Sequence, residues 1–131
     1  MICPLCRCDK CSYIHRDRNR EYFECPECNL VFVPSEYHIS LQEEKDRYDL
    51  HRNDPENKGY MDLLEKLFLP MKERLKKGDH GLDFGSGPSP VLASMFREEG
   101  FGMAIFDKFY ANCPEVFEIR YDFITTSEVV E

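Results

Sequence analysis

The sequence lacks any apolar run approaching the roughly 20 residues that a membrane-spanning helix requires. The N-terminus, Met1-Ile2-Cys3-Pro4, has neither the charged start nor the apolar stretch of a secretory signal. Internal repeats and low-complexity tracts are also missing. These absences predict a globular protein in the reducing cytoplasm, with no membrane partner.

An excess of basic side chains is missing as well, because 17 Lys and Arg stand against 25 Asp and Glu, which gives a formal net charge of −8. Proteins that coat phosphate backbones need clustered Lys and Arg, so this balance argues against nucleic acid as a partner. The hydrophobic fraction of 42% is high enough for a packed core. This fraction argues against wholesale disorder.

Composition divides the chain into three segments. Residues 1–34 hold six of the seven cysteines, and their five basic and five acidic side chains cancel. Residues 35–78 are predicted to form a helical linker or lid. Residues 79–131 are predicted to form the first half of an α/β domain, because the pattern changes there to strand, turn, helix and strand.

The middle segment contains two helical patterns. A capping box that begins at Ser40 predicts a helix to about His51. A second helix is expected from about Lys58, and Pro70 is expected to kink or restart it before Gly78.

The last segment contains the elements of a parallel α/β unit. The predicted elements are strands at 81–84, 101–106 and 121–126 and a helix at 90–99. Ser89 is expected to cap this helix and Gly100 to end it. Ser127 is expected to cap a further helix that starts at Glu128, but the sequence stops three residues later. We therefore interpret the chain as truncated.

Two matching Cys-Pro-x-Cys motifs are separated by 18 residues, and their cysteines are Cys3, Cys6, Cys25 and Cys28. This spacing is typical of four-cysteine zinc sites, because two residues between thiolates let both sulfurs lie about 2.3 Å from one ion. Four thiolates leave no open coordination position. The sequence therefore predicts a structural Zn2+ and a zinc ribbon over residues 1–34.

Other cysteines leave alternatives open. Cys8 and Cys11 form a further Cys-x-x-Cys pair, but we prefer the outer motifs as ligands because both contain proline. A binuclear or ferredoxin-like cluster is the rival, although six thiolates at these spacings match no usual iron–sulfur pattern. His15 is a possible replacement ligand, and Cys113 is interpreted as an isolated thiol.

A glycine turn joins the first predicted strand of the last segment to its helix. Gly85 and Gly87 let the backbone approach a ligand, and the helix that follows presents unpaired N–H groups. Asp107 lies 22 residues beyond Gly85, at the end of the next predicted strand, where a carboxylate can accept both hydroxyls of a ribose. These features predict a nucleoside site. The alternatives are that Asp83 forms a local pair and that Asp107 closes a turn.

The dinucleotide fingerprint G-x-G-x-x-G would need glycine at position 90, where Pro90 stands. An acid, Asp83, instead lies two residues before the first glycine. The sequence here resembles class I S-adenosylmethionine-dependent methyltransferases, whose first motif reads acid-x-G-x-G-x-G. Residues 121–131 resemble the fourth-strand segment of that family. Residues 47–51 and the cysteine ribbon resemble a bacterial branch with an N-terminal zinc ribbon, so the resemblance covers nearly the whole chain.

The resemblance implies a partial Rossmann-like methyltransferase domain behind the ribbon. It implies that the cofactor S-adenosylmethionine is bound by Asp83, Gly85, Ser86 and Gly87, while Asp107 holds the ribose hydroxyls. The implied reaction is direct displacement, in which an acceptor of unknown identity takes the methyl group and the protein mainly positions the reacting atoms.

The resemblance also implies a helical lid that contains Tyr48 and His51, with Asn53 and Tyr60 as further candidates. For both tyrosines a place in the core is the alternative. Glu128 is the candidate catalytic residue, beside the pocket where the acceptor approaches the methyl group. Its alternative is a first-turn acid that the helix dipole favours.

Three features depart from the pattern of the family. Ser89 stands at the third glycine of the motif. Only 15 positions separate Asp107 from Asp122, too few for the usual helix and third strand. The strands that normally complete the sheet would follow Glu131. The strand at 121–126 would then expose an edge, which predicts a homodimer through that edge.

The alternative function is a non-catalytic zinc-ribbon module that binds a protein or a nucleic acid. It is motivated by arginines and rings in the ribbon: Arg16, Arg18, Arg20, Tyr13, Tyr22 and Phe23. Such rings stack on bases. Three acids in the same segment argue against it: Glu21, Glu24 and Glu27.

Overall fold

The computed structural model describes residues 1–50, 55–127 and 129. The chain falls into two compact units, Met1–Glu44 and Lys45–Glu131. The described residues contain three α-helices and two three-stranded sheets. The predicted mixed α/β class is therefore confirmed. None of the helices in these residues has the length and apolar character that crossing a membrane requires.

The first unit is built on an antiparallel sheet. Its strands are β1 (Ser12–Arg16), β2 (Glu21–Glu24) and β3 (Val31–Phe32), in the order β1-β2-β3. Tyr13 pairs with Phe23, and Phe23 pairs with Phe32, so three aromatic side chains share one face. A register shift between Tyr13 and His15 pairs His15 with Tyr22.

This unit buries almost no apolar side chain. Its buried residues are Cys3, Cys25 and Pro34, and every residue of β1 is exposed. A 3-10 helix, Ser35–Tyr37, follows the sheet. Burial of apolar surface is the main favourable term in folding, so the sheet needs another source of stability.

Helix α1 (Leu41–Asp49) begins as the capping box predicts. The Glu43 N–H donates to Ser40 Oγ at 3.2 Å, and the Glu43 carboxylate accepts the Ser40 N–H at 2.8 Å. No residue of α1 is buried. The predicted end near His51 lies outside the described residues.

Helix α2 (Lys58–Lys72) begins at the predicted position. The Asn57 side chain caps it by accepting the Tyr60 N–H at 3.2 Å. Pro70 lies inside the last turn, and the helix ends two residues later instead of restarting. Proline lacks the N–H that would donate to the Lys66 carbonyl, so Pro70 removes one hydrogen bond from the end of the helix.

The second unit contains a parallel sheet. Its strands are β4 (His80–Phe84), β5 (Gly102–Phe106) and β6 (Phe123–Thr125), in the order β5-β4-β6. The chain passes from β4 through α3 (Val91–Glu98) to β5, and later returns to β6 on the other side of β4. All three predicted strands are present within two residues of their expected bounds. In the described residues β6 pairs with β4 alone.

Helix α3 starts one residue later than predicted. Pro90, not Ser89, occupies the N-cap position, and no side chain caps the helix. The reason is a tight turn before the helix, in which the Ser89 carbonyl accepts the Val91 N–H at 2.8 Å. Gly100 follows the helix as predicted, and its N–H donates to the Arg97 carbonyl at 3.0 Å.

The core of the second unit lies where α2 and α3 meet the sheet. Phe96 of α3 is fully buried, and its ring centre lies 4.9 Å from that of Phe68 and 5.1 Å from that of Phe123. Gly81 of β4 makes room for the Phe123 ring, because a Cβ there would overlap it. The remaining buried core residues are Leu64, Val91, Leu92, Ala93, Phe101 and Met103. This packing fixes β4 and β5, whose carboxyl ends carry the predicted site.

Candidate functional site

The four cysteines predicted as metal ligands converge in the first unit. Cys3 Sγ lies 3.6 Å from Cys28 Sγ. Cys6 Sγ lies 3.5 Å from Cys25 Sγ, and all four sulfurs lie within 4.8 Å of one another. Four thiolates bound tetrahedrally at about 2.3 Å from a zinc ion lie about 3.8 Å apart. The sulfurs are therefore spaced as a closed four-coordinate site requires.

The two Cys-Pro-x-Cys segments make equivalent backbone contacts. The Arg7 N–H donates to the Cys3 carbonyl at 3.1 Å, and the Asn29 N–H donates to the Cys25 carbonyl at 2.9 Å. Arg7 and Asn29 have φ values of 65° and 57°, in the left-handed region. This conformation is strained for arginine and persists only where the surrounding structure enforces it. The turn that brings the sulfurs together enforces it here.

Backbone N–H groups favour the thiolate at each of the four positions, and at two of them the pKa lies below its ordinary value. Burial raises the pKa of Cys25, but the N–H groups of the last two residues of its motif donate to the sulfur and lower that pKa to about 6. The pKa of Cys3 is lowered against burial by equivalent N–H groups. At Cys6 a backbone N–H has the same effect, but burial and the neighbouring sulfurs outweigh it and raise the pKa to about 12. A bound cation would offset the repulsion among four thiolates.

Cys8 and Cys11 lie beside the cluster but outside the set of four. Cys8 Sγ accepts the Lys10 N–H at 3.4 Å, and the Cys11 thiol donates to the Cys8 carbonyl at 3.6 Å. His15 packs against Tyr22, with ring centres 5.9 Å apart. The geometry therefore favours the outer motifs as the ligand set.

A second candidate site lies at the carboxyl edge of the parallel sheet. Since β5 and β6 flank β4 on opposite sides, the strand order reverses at β4. Ligands of open parallel sheets bind in the crevice at such a reversal. Asp83, near the end of β4, is in register with Ile105 of β5 and Thr125 of β6.

The turn after β4 adopts a conformation that its glycines permit. Gly85 and Gly87 have φ values of +77° and +66°, which residues with a side chain rarely adopt. The N–H groups of Gly85 and Ser86 donate to the Phe106 carbonyl at 2.8 and 3.1 Å. The turn is thereby tied to the end of β5, next to Asp107.

Asp107 closes this arrangement. One carboxylate oxygen accepts the Gly87 N–H at 3.0 Å. The other accepts the N–H groups of Phe109 and Tyr110 at 2.8 and 3.1 Å. Asp107 therefore does close a turn, as the alternative interpretation expects. An ionised carboxylate offers about four acceptor positions, so these three bonds fix its orientation and leave acceptor capacity for a ligand.

Asp83 is the buried acid of the site, with 2% of its surface exposed. Its Oδ1 accepts the Thr125 hydroxyl at 2.6 Å. Burial raises the pKa of Asp83, against the smaller opposing effects of the Thr125 hydrogen bond and the charge of Arg97. A buried carboxyl group with a raised pKa is a candidate functional residue.

Ser86 lies between the two glycines and is 8% exposed. Its Oγ is buried and has no hydrogen-bond partner among the described residues. A buried hydroxyl without a partner costs about 1–3 kcal/mol. A ligand atom beside the turn would supply the missing bond.

The structure describes only some of the predicted lid residues. Tyr48 of α1 is 42% exposed, and its ring centre lies 6.0 Å from that of Phe109 in the loop after β5. Tyr60 of α2 packs against the hydrophobic core, as its alternative interpretation expects. His51 and Asn53 lie outside the described residues, and so does Glu128, the predicted catalytic residue.

Two side-chain contacts near this edge are not predicted from the sequence. The first is the Thr125–Asp83 bond, whose signal is the position of Thr125 near the end of the third predicted strand. In the second, the Tyr110 hydroxyl donates to the Asp49 carboxylate across 61 positions of sequence, a pairing that no motif indicates.

Comparisons with known proteins give no indication of function for this chain. No family model matches the chain, and no match was found among curated proteins or solved structures. The residues themselves must therefore carry any functional assignment.

Proposed function

We propose that the second unit is the cofactor-binding part of an S-adenosylmethionine-dependent methyltransferase with a Rossmann-like fold. One observation carries the proposal. Asp83, Asp107 and the glycine turn 85–87 meet at the point where the strand order of a parallel sheet reverses.

Hydrogen bonding in the glycine turn favours a nucleoside cofactor without phosphate groups. Pyrophosphates are held by free N–H groups at a helix N-terminus. The N–H groups of residues 85–87 already donate to the Phe106 carbonyl and the Asp107 carboxylate. Pro88 and Pro90 have no N–H to donate. A dinucleotide would therefore find few donors, whereas S-adenosylmethionine carries no phosphate.

Each residue of the site is proposed to contact a different part of the cofactor. S-adenosylmethionine, when bound, supplies an electrophilic methyl group on a sulfonium ion. Asp107, held by three N–H groups, accepts a ribose hydroxyl at its remaining acceptor position, and Ser86 Oγ hydrogen-bonds to the ligand. Gly85 keeps the turn free of a Cβ. Asp83 places a carboxylate near the cation, whose charge favours the ionised form of that group.

The first unit is proposed to be a zinc ribbon, with Cys3, Cys6, Cys25 and Cys28 as the ligands. Thiolates at these spacings form the closed tetrahedral sites that zinc prefers. Such a site has no open position for substrate. The proposed role of the metal is therefore to hold the first unit in its fold.

Calorimetric titration of the chain with S-adenosylhomocysteine tests the cofactor site. We expect binding by the parent chain and a roughly 10- to 100-fold weaker affinity for Asp107→Asn, because a hydrogen bond to a charged group contributes about 1.5–3 kcal/mol. Asp122→Asn is the matched control. It makes the same chemical change at the amino end of β4, where Asp122 Oδ2 accepts the His80 N–H at 2.8 Å.

Three outcomes would contradict the proposal. The first is a parent chain that binds no S-adenosylhomocysteine. The second is an equal loss of affinity in Asp107→Asn and Asp122→Asn. The third is tight binding of a nicotinamide dinucleotide in its place, which would overturn the argument from the engaged N–H groups.

A second candidate function, binding of single-stranded nucleic acid by the first unit, is favoured by one observation. The rings of Tyr13, Phe23 and Phe32 lie in a row across the sheet, with centres 6.0 and 6.3 Å apart. Each base stacked on such a ring contributes about 1–3 kcal/mol. We expect salt-dependent binding of a single-stranded RNA that Tyr13→Ala weakens, measured by fluorescence anisotropy. A flat salt response would exclude this function.

A further inference from the structure

The second half of α1 contacts the loop that follows β5. The Tyr110 hydroxyl donates to the Asp49 carboxylate, and Lys45 Nζ lies 2.7 Å from the other Asp49 oxygen. Lys45 Nζ also lies 5.2 Å from the centre of the Tyr110 ring. The Tyr48 and Phe109 rings, with centres 6.0 Å apart, extend the contact. These side chains fasten the helix to the loop.

The same loop orients Asp107. The N–H groups of Phe109 and Tyr110 donate to Asp107 Oδ1, while Oδ2 accepts the Gly87 N–H. A continuous series of bonds thus runs from Asp49 through Tyr110 to the Asp107 carboxylate and on to the glycine turn. A shift of the Tyr110 backbone would turn the carboxylate.

The protonation states of the two partners suit a lasting bond. Burial raises the pKa of Tyr110, and the Asp49 acceptor raises it further, to about 12, so the hydroxyl keeps its proton at neutral pH. Lys45 and then Tyr110 lower the pKa of Asp49, which stays ionised. Hydrogen bonds to an ionised acceptor are about twice as strong as neutral ones.

We propose that Asp49 and Tyr110 are positioning residues of the cofactor site, which hold the Asp107 carboxylate in the orientation that accepts a ribose hydroxyl. This inference rests on the proposed function, since it assigns both residues to a nucleoside pocket. Neither residue touches the reacting atoms. Binding of the nucleoside and docking of residues 45–49 are then coupled, so each strengthens the other.

Titration of the full chain with S-adenosylhomocysteine, combined with hydrogen exchange of the amides of residues 45–49, tests this role. Tyr110→Phe removes the hydroxyl and keeps the ring beside Lys45. We expect a roughly 3- to 10-fold loss of affinity and faster exchange of these amides. The matched control is Tyr121→Phe, which removes a hydroxyl that donates to the Val116 carbonyl at 2.7 Å. We expect its affinity to equal that of the parent chain.

Variants of Asp49 separate positioning from general stability. Asp49→Ala should lose as much affinity for S-adenosylhomocysteine as Tyr110→Phe. Asp49→Asn keeps a hydrogen-bond acceptor and should retain most of the affinity of the parent chain. The double variant Asp49→Ala/Tyr110→Phe should lose no more affinity than either single variant, since both remove the same bond.

The outcomes distinguish this role from the proposed function. A parent chain that binds no S-adenosylhomocysteine overturns the proposed function and the positioning role together. A parent chain that binds, with an affinity that Tyr110→Phe and Asp49→Ala leave unchanged, overturns the positioning role alone. Additive losses of affinity in the double variant would also overturn the positioning role. So would an Asp49→Asn variant that binds S-adenosylhomocysteine as weakly as Asp49→Ala.

Discussion

The two units of this chain hold their folds by different means. The first unit, Met1–Glu44, buries two cysteines and a proline and has no large apolar side chain in a core. The second, Lys45–Glu131, has a core cluster of nine buried apolar residues that includes Phe96. Chains below about 40 residues usually need a metal, a disulfide or a partner to fold, and the first unit is close to that size.

This difference also separates the two candidate sites. The first unit has the four-sulfur cluster where a larger domain has a hydrophobic core. Disruption of this site is therefore expected to unfold the unit. In the second unit the core lies between the sheet and its helices, while Asp107 and the glycine turn lie at the edge of the sheet. Asp107 can therefore be changed without removing a core side chain, which makes its role in binding easier to isolate.

Metal removal should have the largest effect and should act on one unit only. If the four cysteines hold zinc as proposed, a chelator is expected to abolish the hydrogen-exchange protection of β1–β3, because the apparent energy of zinc binding in zinc-finger peptides is about 10–16 kcal/mol. The strands β4 and β5 should keep their protection. Cys3→Ser should reproduce the effect, while Cys113→Ser, at an exposed cysteine outside the cluster, should not. Amides of β1–β3 that stay protected from hydrogen exchange in the presence of the chelator would contradict this prediction.

Truncation of the aromatic core should give the reverse pattern. Phe96→Ala is expected to destabilise the second unit by about 3–5 kcal/mol, a large part of the stability of a small domain. The absorption of Co2+ bound by the first unit should remain unchanged. Phe117→Ala is the control, because Phe117 is 51% exposed, and urea denaturation should show only a small effect. Loss of the Co2+ signal in Phe96→Ala would show that the units fold as one.

The buried Asp83 should give the second unit a pH dependence of intermediate size. Its pKa is raised in the folded state by burial, so the folded chain binds more protons than the unfolded chain. Stability from this group is present below its ordinary pKa of about 3.9 and is lost as the pH rises through the folded value. Asp83→Asn should remove this decline in urea denaturation measured from pH 4 upward. An equal slope in both proteins would exclude Asp83 as its source.

Two helix caps should give the smallest effects. Asn57→Ala removes the cap of α2, a helix that contributes Leu64 and Phe68 to the core, and should cost the second unit about 1 kcal/mol. Ser40→Ala removes the cap of α1, which buries no residue, and should lower its helix content without lowering the melting temperature of the second unit. Thermal denaturation followed by circular dichroism compares the two variants. Equal shifts in melting temperature would contradict this distinction.

The strength of the local signals decided how much the sequence could predict. The glycine turn, the strands around it and the Cys-Pro-x-Cys motifs are short-range patterns, and the structure contains the predicted strands and brings the four sulfurs together. The predicted start of α3 was wrong by one residue, because the turn at Ser89 and Pro90 competes with side-chain capping. Propensity alone does not weigh such a competition.

The rest depends on contacts between distant residues. The bond between Asp49 and Tyr110 forms because a helix and a loop meet in the folded second unit, and neither residue belongs to a motif. The three turn bonds of Asp107 likewise depend on where the Gly87 and Tyr110 backbones lie. The pattern of parallel strands predicts that Asp83 and Asp107 lie at one edge of the sheet. It does not predict which carboxylate oxygen accepts which hydrogen bond.

The placement of β6 has a consequence for the order in which the second unit assembles. Strands β4 and β5 pair across 22 positions, as His80 and Gly102 show, whereas β4 and β6 pair across 42. Long-range pairing closes a larger loop and forms more slowly. Two side-chain bonds, from the His80 N–H to Asp122 and from Thr125 to Asp83, mark the two ends of this late contact. We therefore expect Asp83 to gain the Thr125 hydroxyl as its partner only after β4 and β5 have paired, so the buried acid of the candidate site is satisfied late in folding.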